Sequence, residues 1–591
     1  MALEFFVSFL ALGTVSARSI PVPRANTCRP IPGDAAWPTS SKWNALNKTI
    51  SGRLIATVPL PSVCHSMPFG TYNADACTAI KTAWLDDQTF LQTPAHTMNA
   101  YTQNYSCVPF TPQSQACELG NFASYSIKVT GADDVIAGIN FAKENNVRLT
   151  IKNTGHEYVS FLKISDIKYL LRCSFAGKST GKGALSLWTH NLNTTTIIPT
   201  YTSAGYTGPA AKLGAGVIGG ELYAAVGAAG YRILGGTCPT VGVAGGYTSG
   251  GGHSLLNGAY GMAADAVLEW EVITADGQHL IATPTQNSDL YWALSGGGAG
   301  TFGVVLSMTT KIFKDGPIGS GIMAFNISSD ASNYWEAIED LWAFLPKFVD
   351  AGPNTWDFAL TPTGFQAFAI TVPDKTGAQV QELLQPYLDS LTKRNITYSY
   401  TPTNSASYLA YFTSRFGPGV KGAGPATVQL ASRLIPRASV TNPTQNKQIV
   451  QALKAFTDNN DWSLGCHALN VKDISRPSNA VLPKWRDAIA TCNIVSYWDW
   501  TKTSTYMADR KKLLIDTLIP GLEKATPGAG TYLNEIDAAW KGDWKTELYG
   551  ENYDRLVTIK NKYDPNHVFY AWTAIGSDSW STDGNGRICK K

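Results

Sequence analysis

Residues 125–156, YSIKVTGADDVIAGINFAKENNVRLTIKNTGH, decide how this chain folds. YSIKV and VRLTI alternate side-chain type as strands do. Between them Val135, Ile139 and Ala142 recur at helical spacing, behind Thr130 and Asp133, which stand where a helix start is capped. Strand, helix and strand in that order make a βαβ unit with a right-handed crossover. The loop leaving the second strand is NTGH, and ligands of α/β units commonly sit at such carboxyl edges.

Working outward, residues 213–283 are dense in glycine and end in a hairpin, with ADG turning LEWEVIT into QHLIAT. Residues 288–312 read as helix, glycine loop and strand. Glycines at this density let backbone N–H groups approach a bulky anionic ligand closely. From Ile318 the character changes. Residues 355–372 read as paired antiparallel strands, and residues 332–349 and 378–391 as amphipathic helices. The tail, residues 549–580, is a helix followed by an aromatic-rich end that packs back on the first domain. The expected organisation is a signal peptide at 1–17, a cysteine-rich region at 18–118, a ligand-binding domain at 119–317, a substrate domain at 318–530 and a returning segment at 531–591.

Bulk properties narrow the function. The 591 residues suit two to four domains, and 44% apolar content is that of a globular protein. The net charge of +3 is spread without a basic block, which argues against nucleic acid as a partner. The N-terminal apolar run from Phe5 to Leu12, followed by Val15 and Ala17, reads as a secretory signal and is too short to span a membrane. Sequons at Asn47, Asn104, Asn193, Asn326 and Asn395 agree with export. The ten cysteines form no CxxC pair, so disulfides in an oxidising compartment explain them better than a metal. No metal site is expected.

Three ligand readings compete for the glycines. AGKST lacks the first glycine of a phosphate-binding P-loop, where Arg172 stands instead. GAGVIGG at Gly214–Gly220 has roughly the spacing of a dinucleotide fingerprint, but lies far from the first βαβ unit and has no clear acid partner. The third reading rests on resemblance. IKNTGHEY (151–158), GGTCPTVGVAGGYTSGGGHSLLNGAYGMAADAVL (235–268), DLYWALSGGGAGTFGVV (289–305) and KYDPNHVFY (562–570) together resemble the berberine-bridge-enzyme-like branch of the vanillyl-alcohol oxidase / p-cresol methylhydroxylase flavoproteins. The N-terminal part and tail look closest to secreted fungal proteins of the isoamyl-alcohol-oxidase type.

The resemblance implies an α+β fold: a two-part FAD-binding domain, made of the βαβ unit and a second α+β subdomain, with an inserted α+β substrate domain on an antiparallel sheet. It implies FAD held by two covalent bonds, through His156 and Cys238. An imidazole nitrogen and a thiolate are nucleophiles suited to the electron-poor flavin. The flavin cradle carried over is Asn153, Thr154, Gly155, Gly235, Gly236, Thr237, Val241, Gly242, Gly245, Gly246, Gly250, Gly251, Gly252, His253, Asp265 and Val304, with Gly250–Gly252, His253 and Asp265 read as non-catalytic. Setting aside Cys238 and Cys173 leaves eight cysteines, enough for four disulfides. Pro30 and Ala36 stand where relatives carry a further cysteine pair.

Flavin oxidases of this kind take a hydride from a substrate C–H while a base removes a proton, and O2 then takes the electrons as hydrogen peroxide. TYLNEID resembles the family's Y-x-N element, which makes Tyr532 the candidate base and places Asn534 beside the flavin. The base is expected to be a tyrosine made more acidic by its surroundings, or a carboxylate. Arg486 is the candidate support for an alkoxide. Val241 falls where small side chains accompany oxidases. A secondary-metabolism enzyme performing oxidative cyclisation or desaturation is the alternative, and a secreted binding protein on the same scaffold is a third reading. The expected partners are a small-molecule substrate and O2.

Relatives run directly from GHDY or GHDF to GRSTG or GKSTG, whereas here residues 159–176 intervene and bring Cys173. They read either as a translated intron or as a surface insertion, which loops tolerate. A mature transcript that lacks their codons identifies an intron, and one that carries them identifies an insertion.

Overall fold

In the computed structural model, residues 28–591 are described except 85, 99–104, 157–177, 328–330, 418–427, 460 and 538. The signal segment, the Asn104 sequon, Cys173 and the interruption at 159–176 therefore lie outside the described residues.

The opening βαβ unit forms as read, from strand Tyr125–Lys128 through helix Ala132–Glu144 to strand Arg148–Lys152. Val135, Ile139 and Ala142 are fully buried against Ile127, Leu149 and Leu187. The helix start differs from expectation in one residue. Asp134, not Asp133, closes the turn, its Oδ2 accepting from both the N–H and the hydroxyl of Thr130 at 2.8 Å. The two strands are also not neighbours. Strand Ala184–Trp188, from beyond the interrupted loop, lies between them and parallel to both, with Leu54–Ala56 antiparallel at the edge. A purely parallel core of this kind leaves its loops at one carboxyl edge, where residues 153–156 emerge.

A second sheet is antiparallel, in the order Thr195–Ser203, Tyr206–Gly214, Val304–Lys311, Val267–Ile273, His279–Ala282. Its last two strands are the ADG hairpin. The third sheet begins at Ile318. Its seven antiparallel strands run Tyr398–Ser405, Ile318–Asn326, Gly364–Pro373, Thr355–Thr361, Ser463–Ala468, Ala488–Tyr497, Val428–Pro436. Helices Ala331–Asp350, Gly377–Lys393 and Pro443–Thr457 cover it. Tyr334, Ile338, Leu341, Leu345 and Phe348 are the buried stripe of the first, spaced four and three residues apart as one face of an α-helix requires. This mixed helix-and-sheet architecture is the expected fold class.

The eight cysteines left by the sequence count pair as Cys28–Cys589, Cys64–Cys77, Cys107–Cys117 and Cys466–Cys492, and Cys238 is free. Among the described residues no helix is long and apolar enough to cross a membrane. The tail is pinned from inside. Lys560, on helix Tyr553–Tyr563, is 1% exposed and donates to the carbonyls of Thr301 (2.7 Å) and Phe569 (2.8 Å) and to Asp564 (2.6 Å). It thereby fixes the glycine loop before strand Val304–Lys311. Lys560→Met strands the Asp564 carboxylate in the interior and is expected to cost about 3–5 kcal/mol. Urea unfolding reads this as a lower midpoint at unchanged slope, and a midpoint equal to the parent's would show that the pair holds nothing.

Candidate active site

The three sheets meet around one cavity of about 340 Å³. Its lining takes Asn153, Thr154, Gly155 and His156 from the carboxyl edge of the first sheet, and Gly236, Thr237, Cys238, Val241, Gly242, Gly245 and Gly246 from the glycine-rich turn. His253, Tyr532 and Asn534 complete the sequence-derived set there, and Leu430 and Asn493 come from the seven-stranded sheet. Lys178 and Ser179 also line it, so both ends of the interrupted loop reach the same cavity.

Local backbone explains the close packing. Gly155 has φ +83°, and a Cβ there would stand 2.7 Å from the His96 carbonyl oxygen, so only glycine lets the chain turn His156 inward. At Gly245 a Cβ would meet no protein atom within 4 Å and at Gly246 only Ala299, because both face the cavity. Buried oxygens of three lining residues, Ser249 Oγ, Asn493 Oδ1 and Glu535 Oε2, have no protein partner among the described residues. A glycine cradle beside unsatisfied buried acceptors fits a flat, polar-edged ring system such as a flavin.

One cluster gathers the proposed attachment residues. His156 Nε2 lies 3.9 Å from Cys238 Sγ and 2.7 Å from Thr240 Oγ1. The Thr240 hydroxyl also donates to Asp87 Oδ2, and Cys238 Sγ lies 3.3 Å from Thr240 Oγ1 and 3.9 Å from the same Asp87 oxygen. Burial, helped by the Lys152 charge, lowers His156 to about 3, so its imidazole is neutral. Burial raises the Cys238 thiol to about 11 and lifts Asp87 above its ordinary value. The cysteine therefore rests as a thiol rather than the thiolate that the expected attachment needs.

A second cluster holds the candidate acid–base groups. Asn534 Nδ2 donates to the Tyr532 hydroxyl at 2.8 Å, and the Gly252 N–H supports the same oxygen. Burial nevertheless pushes Tyr532 well above its ordinary value, with the Glu535 charge adding to the rise. The tyrosine is not made more acidic, which corrects the first of the two expected kinds of base and leaves the carboxylate. Glu535 Oε1 accepts from His253 Nε2 at 3.1 Å. Burial alone would lower His253, but the Glu535 carboxylate reverses this and holds it above its ordinary value.

Several carried-over residues stand elsewhere. Asp265 is a structural acid that accepts a two-pronged bond from Arg486 (2.7 and 2.8 Å) and one from the Met262 N–H. Arg486 is thereby held away from the cavity lining and is no alkoxide support. Val304 is fully buried in the core of the first sheet, and its neighbours Gly303 and Val305 line the cavity instead. Gly235 packs on Tyr223, while Gly250, Gly251 and Gly252 lie behind the lining, the first against the Asn534 amide. Sequence reading missed Asp87, Thr240 and Glu535. Only Glu535 carried a signal, as the carboxylate directly after the Y-x-N element.

Comparison with known proteins places residues 531–576 in the "Berberine and berberine like" family and residues 172–283 in the "FAD binding domain" family. A bifunctional decalin synthase of Penicillium decumbens is 70% identical over 591 residues, covering 100% of both chains. A VAO-type flavoprotein oxidase of Thermothelomyces thermophilus is 46% identical over 586 residues, 98% of this chain and 99% of that one. Among solved structures, a VAO-type flavoprotein from Myceliophthora thermophila C1 superposes with TM-score 0.90 at 46% identity, covering 95% of this chain and 100% of that one. A second from the same organism gives 0.85 at 25% identity, covering 96% and 100%.

The Glu535–His253 pair has a signed consequence. A raised His253 pKa adds stability that is complete below the ordinary histidine value and is lost as pH rises through the raised one. Glu535→Gln should remove that dependence, so urea midpoints at mildly acidic and at neutral-to-alkaline pH should differ less in the variant than in the parent. An unchanged difference would show that the pair is not coupled in solution.

Proposed function

This chain belongs to the berberine-bridge-enzyme-like FAD-linked oxidoreductases of the vanillyl-alcohol oxidase / p-cresol methylhydroxylase superfamily, and from that premise we propose that it oxidises an unsaturated carbon chain and guides it into a ring, with O2 as the electron acceptor. Bound FAD supplies the two-electron acceptor and returns its electrons to O2 as hydrogen peroxide. His156 and Cys238 would hold it covalently, and Gly245 and Gly246 would accept its ring.

The observation that carries this reading is the meeting, in one cavity, of the His156–Cys238 pair with Tyr532, Asn534, His253 and Glu535. The pair anchors the electron acceptor, and the other four handle the proton. Tyr532, protonated and steadied by Asn534, donates a hydrogen bond to a substrate oxygen. The Glu535–His253 pair takes the proton released as the C–H bond is oxidised. A carbonyl formed there and held by Tyr532 withdraws electrons from an adjacent double bond, which favours its closure with a diene folded against Leu294, Val305 and Leu430. The full-length likeness to a decalin synthase supports the ring-closing half.

A second reading stops at the carbonyl. The relative named a flavoprotein oxidase favours it, while the small Val241 side chain on the cavity wall agrees with O2 as acceptor in both readings. Export from the cell is part of both readings. Four disulfides and exposed sequon asparagines at 193, 326 and 395 support it.

Incubation of the purified yellow protein with linear polyenols, simple alcohols, sugars and phenols, with peroxide and product both followed, separates the readings. Ring closure gives peroxide and a product two hydrogens lighter that has lost its polyene absorbance. A lighter product that keeps that absorbance marks the plain oxidase. No peroxide, from a protein that retains no flavin through acid precipitation, would instead mark a binding protein. Glu535→Gln should slow substrate oxidation by roughly 100-fold or more.

A further inference from the structure

We infer that Asp87 and Thr240 form a proton relay that sets the tautomer of His156 and receives the proton released when His156 becomes attached to the flavin. The inference rests on the covalent attachment proposed above. Asp87 lies in the cysteine-rich region, far in sequence from the flavin-binding motifs, and is 0% exposed. A carboxylate there must serve a neighbour, because burying it unpaired is costly.

The geometry fixes the direction of each hydrogen bond. A threonine hydroxyl has one proton, and an ionised carboxylate only accepts. Thr240 gives its proton to Asp87 Oδ2, so toward His156, at 2.7 Å, its oxygen accepts. Nε2 must then carry the imidazole proton, and Nδ1 keeps a free lone pair as the bond-forming atom. When Nδ1 forms its bond to the flavin methyl carbon, one hydrogen leaves that carbon and the Nε2 proton leaves through Thr240 toward Asp87. The two electrons and two protons end on O2 as hydrogen peroxide, which balances the step. Cys238, at 3.3 Å from Thr240 and 3.9 Å from Asp87, shares the same acceptor for its thiol proton. The raised affinity of the buried Asp87 for a proton suits that task.

The test uses the full-length protein expressed without added substrate, with digestion and mass measurement of the peptides carrying His156 and Cys238. The parent should carry flavin on both. Asp87→Asn and Thr240→Val should bind FAD yet attach it at His156 roughly 100-fold more slowly, whereas Thr240→Ser, which restores the hydroxyl, should attach it at the parent's rate. Flavin on the His156 peptide of Thr240→Val at the parent's rate overturns the relay, and this holds even if Asp87→Asn fails to fold. Stoichiometric zinc in the parent that is lost in Asp87→Asn would also overturn it, since the ligand atoms of Asp87, His156 and Cys238 lie within 4.8 Å of one another. A parent with no flavin on His156 refutes the attachment itself, which is a different failure from that of the relay.

Discussion

The site depends on one buried carboxylate. Asp87 has no exposure to water, and its Oδ2 accepts from the Thr240 hydroxyl, 153 residues away, while its Oδ1 has no partner among the described residues. A buried acceptor left without its donor costs about 1–3 kcal/mol, so the N-terminal region has to dock with the glycine-rich turn in register. Once Thr240 is fixed, His156 and Cys238 are fixed with it, because both lie against that hydroxyl. The carboxyl edge of the first sheet and the turn of the second are thereby closed on each other, and the cavity is what remains between them.

What could be read in advance was local. The βαβ unit, the ADG hairpin and the helix Ala331–Asp350 declare themselves through side-chain period, and the cysteine count left eight partners that do pair. What could not be read is contact across the chain. No pattern in AWLDDQTF marks Asp87, and no spacing says that Ala184–Trp188 will slip between two strands joined by their own helix. Val304 shows a finer limit. Successive strand residues face opposite ways, so an error of one position moved the assignment from the cavity wall, where Val305 lies, into the core. Asp265 shows another, since an acid in a glycine-rich loop looks like a ligand contact until Arg486 is found on it.

Thermodynamics bears on the interrupted loop. Its flanks, His156 and Lys178, both line the cavity. Lengthening such a connection from about four residues to about twenty adds about 1.5 kcal/mol of closure entropy, small beside a typical folding stability of about 5–15 kcal/mol. A fold anchored by four disulfides and the buried Lys560 carries that cost. Its sensitive consequence is local. His156 stands three residues before the interruption in the sequence, and Thr240 holds its imidazole from across the chain.

The electrostatics of the two clusters point the same way. Burial keeps His156 neutral, Cys238 a thiol and Tyr532 a phenol, so none of the groups proposed to bond cofactor or substrate rests as an anion. Each cluster instead has one carboxylate reached through one intermediary: Asp87 through Thr240, and Glu535 through His253. A thiolate standing permanently in the cavity would be prone to oxidation. A neutral nucleophile with a buried proton acceptor one hydrogen bond away reacts only when its partner is in place. On this argument the two carboxylates divide the work by time. On the proposals above, Asp87 serves once, while the cofactor is being attached, and Glu535 serves at every turnover.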